Sequence, residues 1–482
     1  MFKQSASLIS IKPNYPTVRH LFFYLLTSFL AIPIIILLAT RYFYLSPILP
    51  VLALVLIIIY THPEIGLMGL ICFIPYSSIG FFSEEYQFFS VYRILGVITT
   101  MAVLFTPWRT LKGKINLRSN LWIWLLLLFL IYFVSSMLSS YPEMSFNRFR
   151  KLFELYVYAW LVLVLITPKS FLKVLPLVFT YSAFLSAFIS VVCYLFQFPS
   201  LFTKTADASQ FYRSAGTALD PNWYSAIIIF CIPFVFYLFL CEVKFYKKAW
   251  YIFMFFVMTL AVILTYSRSG GIVLGMVLLL IFLLNLSKVK PVHLGSVFFF
   301  VLLMGLVFFL VIPSSYWQRQ KSVVEKVTDS SIGRRLSYLY VGWETFKENP
   351  FFGAGPGTFP IIFSKSNYAV KYAADPEDYK RGAHNVYVEY ATGVGITGLT
   401  VFLILIIVTL RNYQAAKRLF RNNGARSDKI YLIEAYELAL VSQLIFFLFI
   451  GRGYSMQFWF AVALSQVAVN TAQVFARDDL KC

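Results

Sequence analysis

Residues 121–138 read LWIWLLLLFLIYFVSSML, a run without a single charged side chain. A helix needs about 20 predominantly apolar residues to cross the hydrocarbon core of a bilayer. The run therefore predicts a membrane-spanning helix. The whole chain of 482 residues agrees, because 60% of its residues are hydrophobic and only 13% are charged. That balance excludes an ordinary soluble protein, in which about a quarter of the residues are charged, and also a disordered chain.

Similar apolar runs recur along the chain and predict an all-α fold, a polytopic membrane bundle of about 12 to 14 transmembrane helices. The candidate spans lie at 21–40, 45–60, 65–82, 91–107, 121–138, 152–167, 174–197, 223–241, 250–266, 271–287, 293–313, 385–410, 430–450 and 456–474. The first of them follows Lys3 and Lys12 and lacks a small-residue cleavage site. It is also too long for a cleaved signal peptide, so it predicts a retained signal anchor.

The basic residues orient this bundle. The net charge is +20, from 41 Lys and Arg against 21 Asp and Glu. Cytoplasmic connections of membrane proteins are enriched in Lys and Arg, and placing the N-terminus inside gives the expected alternation. There are two exceptions. The segment 314–384 is long enough to translocate regardless of its charge, whereas the short connection 139–151, with Arg148, Arg150 and Lys151, counts against the assignment. We therefore predict that both termini are cytoplasmic, and no nucleic-acid partner is needed to explain the charge.

Three notable segments then face outside, at 198–222, 267–270 and 314–384. The predicted organisation is a first part of the bundle over 1–313, a large outer loop over 314–384, and a last part of the bundle over 385–482. The loop is too long to be a bare connector. Its apolar residues recur at helical spacing at Leu336, Leu339, Trp343 and Phe346. They predict an amphipathic helix that lies against the outer face of the membrane and ends at Asn349-Pro350.

A glycine-rich turn, Gly353-Ala354-Gly355-Pro356-Gly357, follows this helix. It lacks the Lys-Ser/Thr pair of a P-loop, which argues against a nucleotide site. Two interpretations stay open, a tight reversal and a turn that lets the backbone approach a ligand. The five cysteines form no CxxC pair, and the four histidines come with neither an HExxH motif nor a carboxylate cluster. The sequence therefore predicts neither a metal centre nor a cofactor.

Among the arginines predicted on the outer side, four are candidate site residues, Arg213, Arg268, Arg334 and Arg335. Arg268 stands in the minimal turn Ser-Arg-Ser-Gly of a predicted helical hairpin, where holding a charge is costly. An arginine matches phosphate oxygens with two parallel donors, so an anion site is one interpretation. The alternative is that these side chains extend to lipid headgroups.

His384 is the histidine of the outer side, at the entrance of the span 385–410. Histidine is the usual general base near neutral pH, although a lone histidine there can also cap the helix or mark the interface. Glu389 could orient it or simply pack at the surface. Arginines that bind phosphate, together with a base, suit one reaction. A glycosyl group leaves a diphosphate while an acceptor hydroxyl attacks, and a membrane enzyme would carry that donor on a lipid.

Four blocks of the chain resemble the bacterial O-antigen ligase and polymerase superfamily. They are Arg213-Ser-Ala-Gly-Thr-Ala-Leu-Asp-Pro-Asn222, the Ser-Arg268-Ser-Gly-Gly hairpin, the segment from Arg335 to Gly357, and His384-Asn385 with the glycines that follow. Their order and their common face on the predicted topology strengthen the match. The resemblance covers roughly residues 200–410, whereas the first 200 residues match only as generic spans.

The resemblance implies a metal-independent, inverting glycosyltransferase of the bacterial inner membrane, with a periplasmic active site and loop. Such an enzyme moves a glycan from undecaprenyl diphosphate to an acceptor hydroxyl. By motif position, Arg213 and Arg268 would bind the diphosphate and His384 would be the catalytic base. Arg334 or Arg335 would support the diphosphate or the glycan. The supporting residues would be Asn222, Gly355, Gly357, Asn385 and Glu389.

The motifs leave the acceptor open. A ligase transfers the glycan to a lipid A core or another terminal acceptor, and a polymerase of O-antigen, capsule or exopolysaccharide transfers it to another lipid-linked repeat. A transporter or flippase for lipid-linked glycans is the alternative class, since many spans and intramembrane arginines suit it too. Against it, no half-to-half repeat is detectable and the candidate residues share one face. A structural membrane protein with a binding loop is a third class.

Overall fold

A computed structural model describes residues 48–76, 91–105, 119–196, 198, 203–206, 209–218, 220–286, 330–372, 382–451 and 453–479. The predicted spans at 21–40 and 293–313 lie outside the described residues. The chain divides into two compact units, residues 1–66 with 97–112, and residues 67–96 with 113–482. In the first unit, Gly66 has no room for a side chain, since a Cβ there would contact Thr99 and Ile59.

The helices described before the strand hairpin are α1 (Ile48–Thr61), α2 (Pro63–Cys72), α3 (Val91–Phe105), α4 (Leu121–Leu138), α5 (Pro142–Leu165) and α6 (Leu175–Leu195), the last preceded by a π-turn at Ser170–Val174. Two strands, β1 (Thr203–Ala206) and β2 (Ser209–Ser214), form an antiparallel hairpin in which Lys204 pairs with Arg213. After them come α7 (Pro221–Cys241), α8 (Phe245–Ile263), α9 (Arg268–Leu286), α10 (Ser330–Glu348), α11 (Phe359–Ser364), α12 (Asn367–Tyr372), α13 (Val386–Asn422), α14 (Ser427–Phe446) and α15 (Met456–Asp479).

The prediction of an all-α polytopic membrane protein is confirmed. Within the described residues, seven helices are long and apolar enough to cross a membrane, and the bent pair of α1 and α2 would make an eighth. The opening run at 121–138 is α4, with a mean hydropathy of 2.4 and only 33% of its positions buried. Its exposed positions are apolar, as expected of a helix that faces lipid. By contrast, α7 and α15 are each 72% buried and form the centre of the second unit.

The structure corrects the start of one predicted element. Residues 142–151, expected in a connection, are the first turns of α5. Pro142 stands at the first helical position, where its fixed φ favours a helix and its missing N–H costs nothing. Glu143 follows in the first turn, next to the positive end of the helix dipole. Arg148 therefore lies within the helix α5 and not in a connecting loop.

The helix α13 is broken at Gly395, and the glycine-rich turn and the residues just before it form hydrogen bonds to the backbone at the break. Gly395 has φ 66° and ψ −167°, outside the helical region. Across the break, the Gly355 N–H donates to the Gly393 carbonyl (3.0 Å) and the Ile396 N–H donates to the Pro350 carbonyl (2.8 Å). These bonds satisfy backbone groups that the break frees, which is essential in a membrane protein.

Two serines, one in α4 and one that directly follows it, bond to the carbonyls of this break from the other side. Ser135 donates to the Gly393 carbonyl (2.8 Å), and Ser139 donates to the Ala354 carbonyl (2.8 Å). Gly355 has φ 112°, and a Cβ there would collide with Ser139. The turn 353–357 is thus a close-packed reversal that fixes the outer loop to the bundle.

This packing makes Gly355 a sensitive position. Gly355→Ala should destabilise the protein by about 3 kcal/mol or more, because backbone strain and a steric clash add. Gly424→Ala is the matched control, since Gly424 also has a positive φ (67°) but nothing lies within 4 Å of its Cβ position. It should cost only about 1 kcal/mol. Thermal unfolding of the purified variants measures both effects, and equal losses would contradict the clash.

Candidate functional site

The turn between α8 and α9 precedes Arg268 and is braced by β2. The Ser214 N–H donates to the Leu264 carbonyl (3.0 Å). The Arg213 guanidinium donates through Nε to the Thr265 carbonyl (3.0 Å). Arg213 is half-buried, so this bond orients its guanidinium against the turn. The hairpin that carries Arg213 was not expected from the sequence.

The first turn of α7 fixes the same corner. The Ser267 hydroxyl donates to Asn222 Oδ1 (2.7 Å), and Ser267 itself is 1% exposed. Arg268, the first residue of α9, follows at once and is half-buried. Three of the predicted site residues, Arg213, Asn222 and Arg268, are therefore brought together around one turn, although they lie on three different elements.

His384 lies immediately before α13 and is exposed. Its backbone adopts a left-handed conformation with φ 48°, and its ring stacks on Tyr338 of α10, with centroids 5.8 Å apart. Asn385 caps α13, since its Oδ1 accepts from the Val388 N–H (3.1 Å), and its Nδ2 donates to the Leu448 carbonyl (3.3 Å). The predicted pair His384-Asn385 therefore sits on a firmly anchored backbone.

The predicted carboxylate Glu389 lies one turn further along α13. Its carboxylate accepts a hydrogen bond from the Ala383 N–H and interacts with the charge of Arg148. Gly451 packs against this carboxylate. A Cβ added at Gly451 would lie only 3.2 Å from the backbone nitrogen of His384. Glu389 thus connects the segment that carries His384 to a cation on α5.

The two adjacent arginines of the outer loop fall near the start of α10. The side chain of Arg334 lies outside the described residues. Arg335 is exposed, one helical turn before Tyr338, the residue on which His384 stacks. Of this pair, Arg335 is therefore on the element that contacts the histidine.

Arg148 links the glycine-rich turn to the histidine segment. Its guanidinium lies over the ring of Tyr454, 5.3 Å from the centroid. Gly357, with φ 83°, packs against the aliphatic part of Arg148 and leaves no room for a Cβ. The predicted residue Gly357 therefore contributes by admitting an arginine side chain, and Glu389 interacts with the same arginine.

A cavity of about 360 Å³ opens beside Arg148, where the N-terminal parts of α3, α5, α7 and α15 meet. Its charged lining consists of Arg93, Arg148, Lys151 and Glu154, so cations exceed carboxylates. Glu154 pairs with Arg93 across 3.6 Å. Burial lowers the pKa of Lys151, which precedes the apolar part of α5, and the charges of Arg148 and Arg93 lower it further. Three cations so crowded together favour an anionic ligand, which would relieve their repulsion.

Aromatic rings also line the cavity. Trp223 is one of them and directly follows Asn222, whose amide oxygen accepts from the Arg268 turn. Tyr454 is another, and its ring contacts Arg148. None of the predicted site residues Arg213, Asn222, Arg268 and His384 is itself in the described lining. Aromatic faces beside convergent cations suit a ligand that joins an anion to a sugar ring.

Several cavity residues belong to no motif in the sequence. Arg93, Lys151 and Trp223 come from three helices that only the tertiary fold assembles. Arg148 and Lys151 did leave a signal in the sequence, because both broke the expected charge alternation. On the predicted topology they are cations of the outer side, which is the same signal that pointed to Arg213 and Arg268.

Metal-binding chemistry has no candidate site in the described part of the chain. Among those residues, no group of three or more His, Cys, Asp or Glu side chains could hold a metal ion. The positive charge around the cavity instead comes from arginine and lysine.

Comparison with known proteins identifies one family for part of the chain. Residues 253–403 match a family model described as O-antigen ligase. Comparison with curated proteins gives no match. The matched segment begins in α8 and ends in α13. It includes the Arg268 turn, α10, the glycine-rich turn 353–357 and His384. The match therefore supports the O-antigen ligase/polymerase superfamily for the segment 253–403, which carries the histidine and the Arg268 turn.

Proposed function

We propose that this protein is a glycosyltransferase that moves a glycan from undecaprenyl diphosphate to an acceptor hydroxyl at the periplasmic face of a bacterial inner membrane. The observation that carries the proposal is a cavity lined by cations and aromatic rings, one of which, Trp223, directly follows Asn222 in the corner of Arg213, Asn222 and Arg268. The match of the segment 253–403 to the O-antigen ligase/polymerase superfamily supports the reaction class.

The proposed donor site uses side-chain cations. Arg213 and Arg268 bind the diphosphate, and Arg148 and Lys151 extend the same positive field into the cavity. A guanidinium matches two phosphate oxygens at once, and a half-buried one is screened less than a surface charge. These cations stabilise the charge that develops on the leaving diphosphate, so the proposed mechanism requires no metal.

His384 is the proposed base. Its nitrogen takes the proton of the acceptor hydroxyl as that oxygen bonds to the anomeric carbon. The bond between that carbon and the diphosphate oxygen breaks with the electron pair leaving on the diphosphate, and this single displacement inverts the anomeric centre. The anchored backbone at Asn385 and the stack on Tyr338 hold the imidazole for this step.

The glycans of a deletion strain distinguish the possible acceptors. If single repeats remain attached to the final acceptor and long chains are lost, the enzyme is a polymerase. If long chains accumulate on the carrier lipid and attachment is lost, it is a ligase. Unchanged glycans would contradict the glycosyltransferase proposal.

A lipid-linked glycan flippase is the competing class, and the broken helix α13 bears on it. Transporters use broken helices to line a substrate site near the middle of the membrane. Here the break at Gly395 is filled by the backbone of residues 350–355. That filling favours a structural role for the break and supports the transferase.

The proposal requires the cavity to face the periplasm. Cysteines introduced at Lys365 and at position 204 should react with a membrane-impermeant maleimide in intact spheroplasts. Cysteines at Lys247 and Arg421 should react only after the membrane is opened. The side chains of Lys247, Lys365 and Arg421 are all exposed, so a cysteine at each of these positions can be reached by the reagent. The parent should lack the five native cysteines. The reverse pattern would overturn the topology and every role built on it.

A further inference from the structure

Gln457, in the first turn of α15, lines the cavity with an amide that has one unused group. The side chain is 0% exposed. Among the described residues its Oε1 atom has no hydrogen-bond partner. A buried polar atom without a partner is costly and rare, so such an atom in the wall of a cavity indicates a ligand group that satisfies it.

A chain of amides determines which atom of Gln457 is left to accept a hydrogen bond. Gln443 of α14 donates through Nε2 to the Ala226 carbonyl (2.9 Å). Because a backbone carbonyl can only accept, Gln443 must use its NH₂ there, and its Oε1 is left to accept. Gln457 then donates through Nε2 to that Oε1 (3.2 Å). The remaining atom, Gln457 Oε1, is thereby fixed as an acceptor.

The chemistry of an amide oxygen selects the part of the ligand that it contacts. It repels phosphate oxygens and accepts from a hydroxyl or an amide N–H. Within the same cavity, Arg148 and Lys151 extend the positive field of the proposed diphosphate site, and Trp223 offers an aromatic face. Gln457 therefore suits the uncharged, hydrogen-donating sugar next to a diphosphate.

We infer that the cavity is a subsite for the donor sugar attached to the lipid diphosphate, and that Gln457 Oε1 accepts a hydrogen bond from a hydroxyl or acetamido N–H of this sugar. The inference rests on the proposed function, since it takes the donor to be a lipid-linked glycan. Gln457 is accordingly a specificity-determining residue, whereas Gln443 is a positioning residue that orients its amide.

The test compares two probes on the full-length protein in lipid nanodiscs. One probe is undecaprenyl diphosphate without a sugar, and the other is the lipid-linked glycan isolated from cells that make the protein. Gln457→Met, which keeps the length of the side chain, should raise the Kd of the lipid-linked glycan about tenfold. The Kd of undecaprenyl diphosphate should stay within about twofold.

Gln466→Met is the matched control. Gln466 lies on the same helix, is 6% exposed and is bonded to Asn470 (2.9 Å) and Ser119 (2.8 Å). It does not line the cavity, so neither Kd should change. Gln443→Met tests the amide chain while Gln457 stays in place. It should also raise the Kd of the lipid-linked glycan and leave the Kd of undecaprenyl diphosphate unchanged. It replaces Gln457→Met if that variant fails to fold.

Two results would overturn the inference, and they distinguish failure of the sugar subsite from failure of the proposed function. If the wild type binds both probes and Gln457→Met weakens both equally or neither, the sugar subsite is wrong while the proposed function stands. If the wild type binds neither probe, the proposed function fails and the inference falls with it.

Discussion

Replacing His384 with alanine is expected to lower glycan transfer by about 10³-fold without changing the amount of protein in the membrane. General bases contribute 10²- to 10⁴-fold to such reactions, and His384 is the proposed base for the acceptor hydroxyl. The residue also has φ 48°, so alanine adds backbone strain to the loss of the imidazole.

The strain and the chemistry can be separated. Asparagine tolerates a left-handed backbone but cannot act as a base, so His384→Asn should be as inactive as His384→Ala. His62, an exposed histidine 3.2 Å from Glu64, provides the control, and His62→Ala should retain full transfer. Transfer is measured with purified protein, lipid-linked glycan and its acceptor. Full activity in His384→Asn would remove the base from this position.

Replacing Arg148 with methionine is expected to lower kcat/KM for the lipid-linked donor by about 10²-fold. Removal of one donor that stabilises developing charge typically has an effect of this size. Arg148 lines the cavity, lies over Tyr454 and interacts with Glu389, so its loss also leaves that half-buried carboxylate without its cation. Arg148→Lys should recover part of the activity, because it restores the charge without the two-pronged geometry.

The control for Arg148 is two residues away on the same helix. Arg150 carries the same charge but is exposed and does not line the cavity. Arg150→Met should therefore leave kcat/KM within about twofold, since exposed charges contribute little. An equal loss in both variants would mean that only the net charge of this face matters, and would contradict a specific role for the cavity.

The candidate residues were predictable in unequal degree. Arg268 and His384 stand out in the sequence because a charge in a minimal hairpin turn and a lone outer histidine are costly or unusual at a membrane surface. Their neighbours were not predictable in the same way. For Glu389 the sequence left two roles open, orienting the histidine or packing at the surface, whereas the structure puts its carboxylate on the Ala383 N–H and near Arg148.

The glycines illustrate the same limit. Gly355 and Gly357 signalled a turn, but a turn for a ligand and a turn for packing have the same composition. The structure distinguishes them, because the position of a Cβ on Gly355 is occupied by Ser139 and that on Gly357 by Arg148. These contacts join residues more than 200 positions apart, beyond the reach of any local pattern.

The sequence by itself determined the membrane class and the positions of the seven described helices that are long and apolar enough to cross a membrane. A bilayer acts on each apolar run separately, and a run such as 121–138 must become a helix to satisfy its own backbone. The tertiary structure alone decided which cations share a cavity, which amide oxygen is left to accept, and how the break at Gly395 is sealed. Those features depend on contacts between helices, and such contacts carry no period or spacing along the chain.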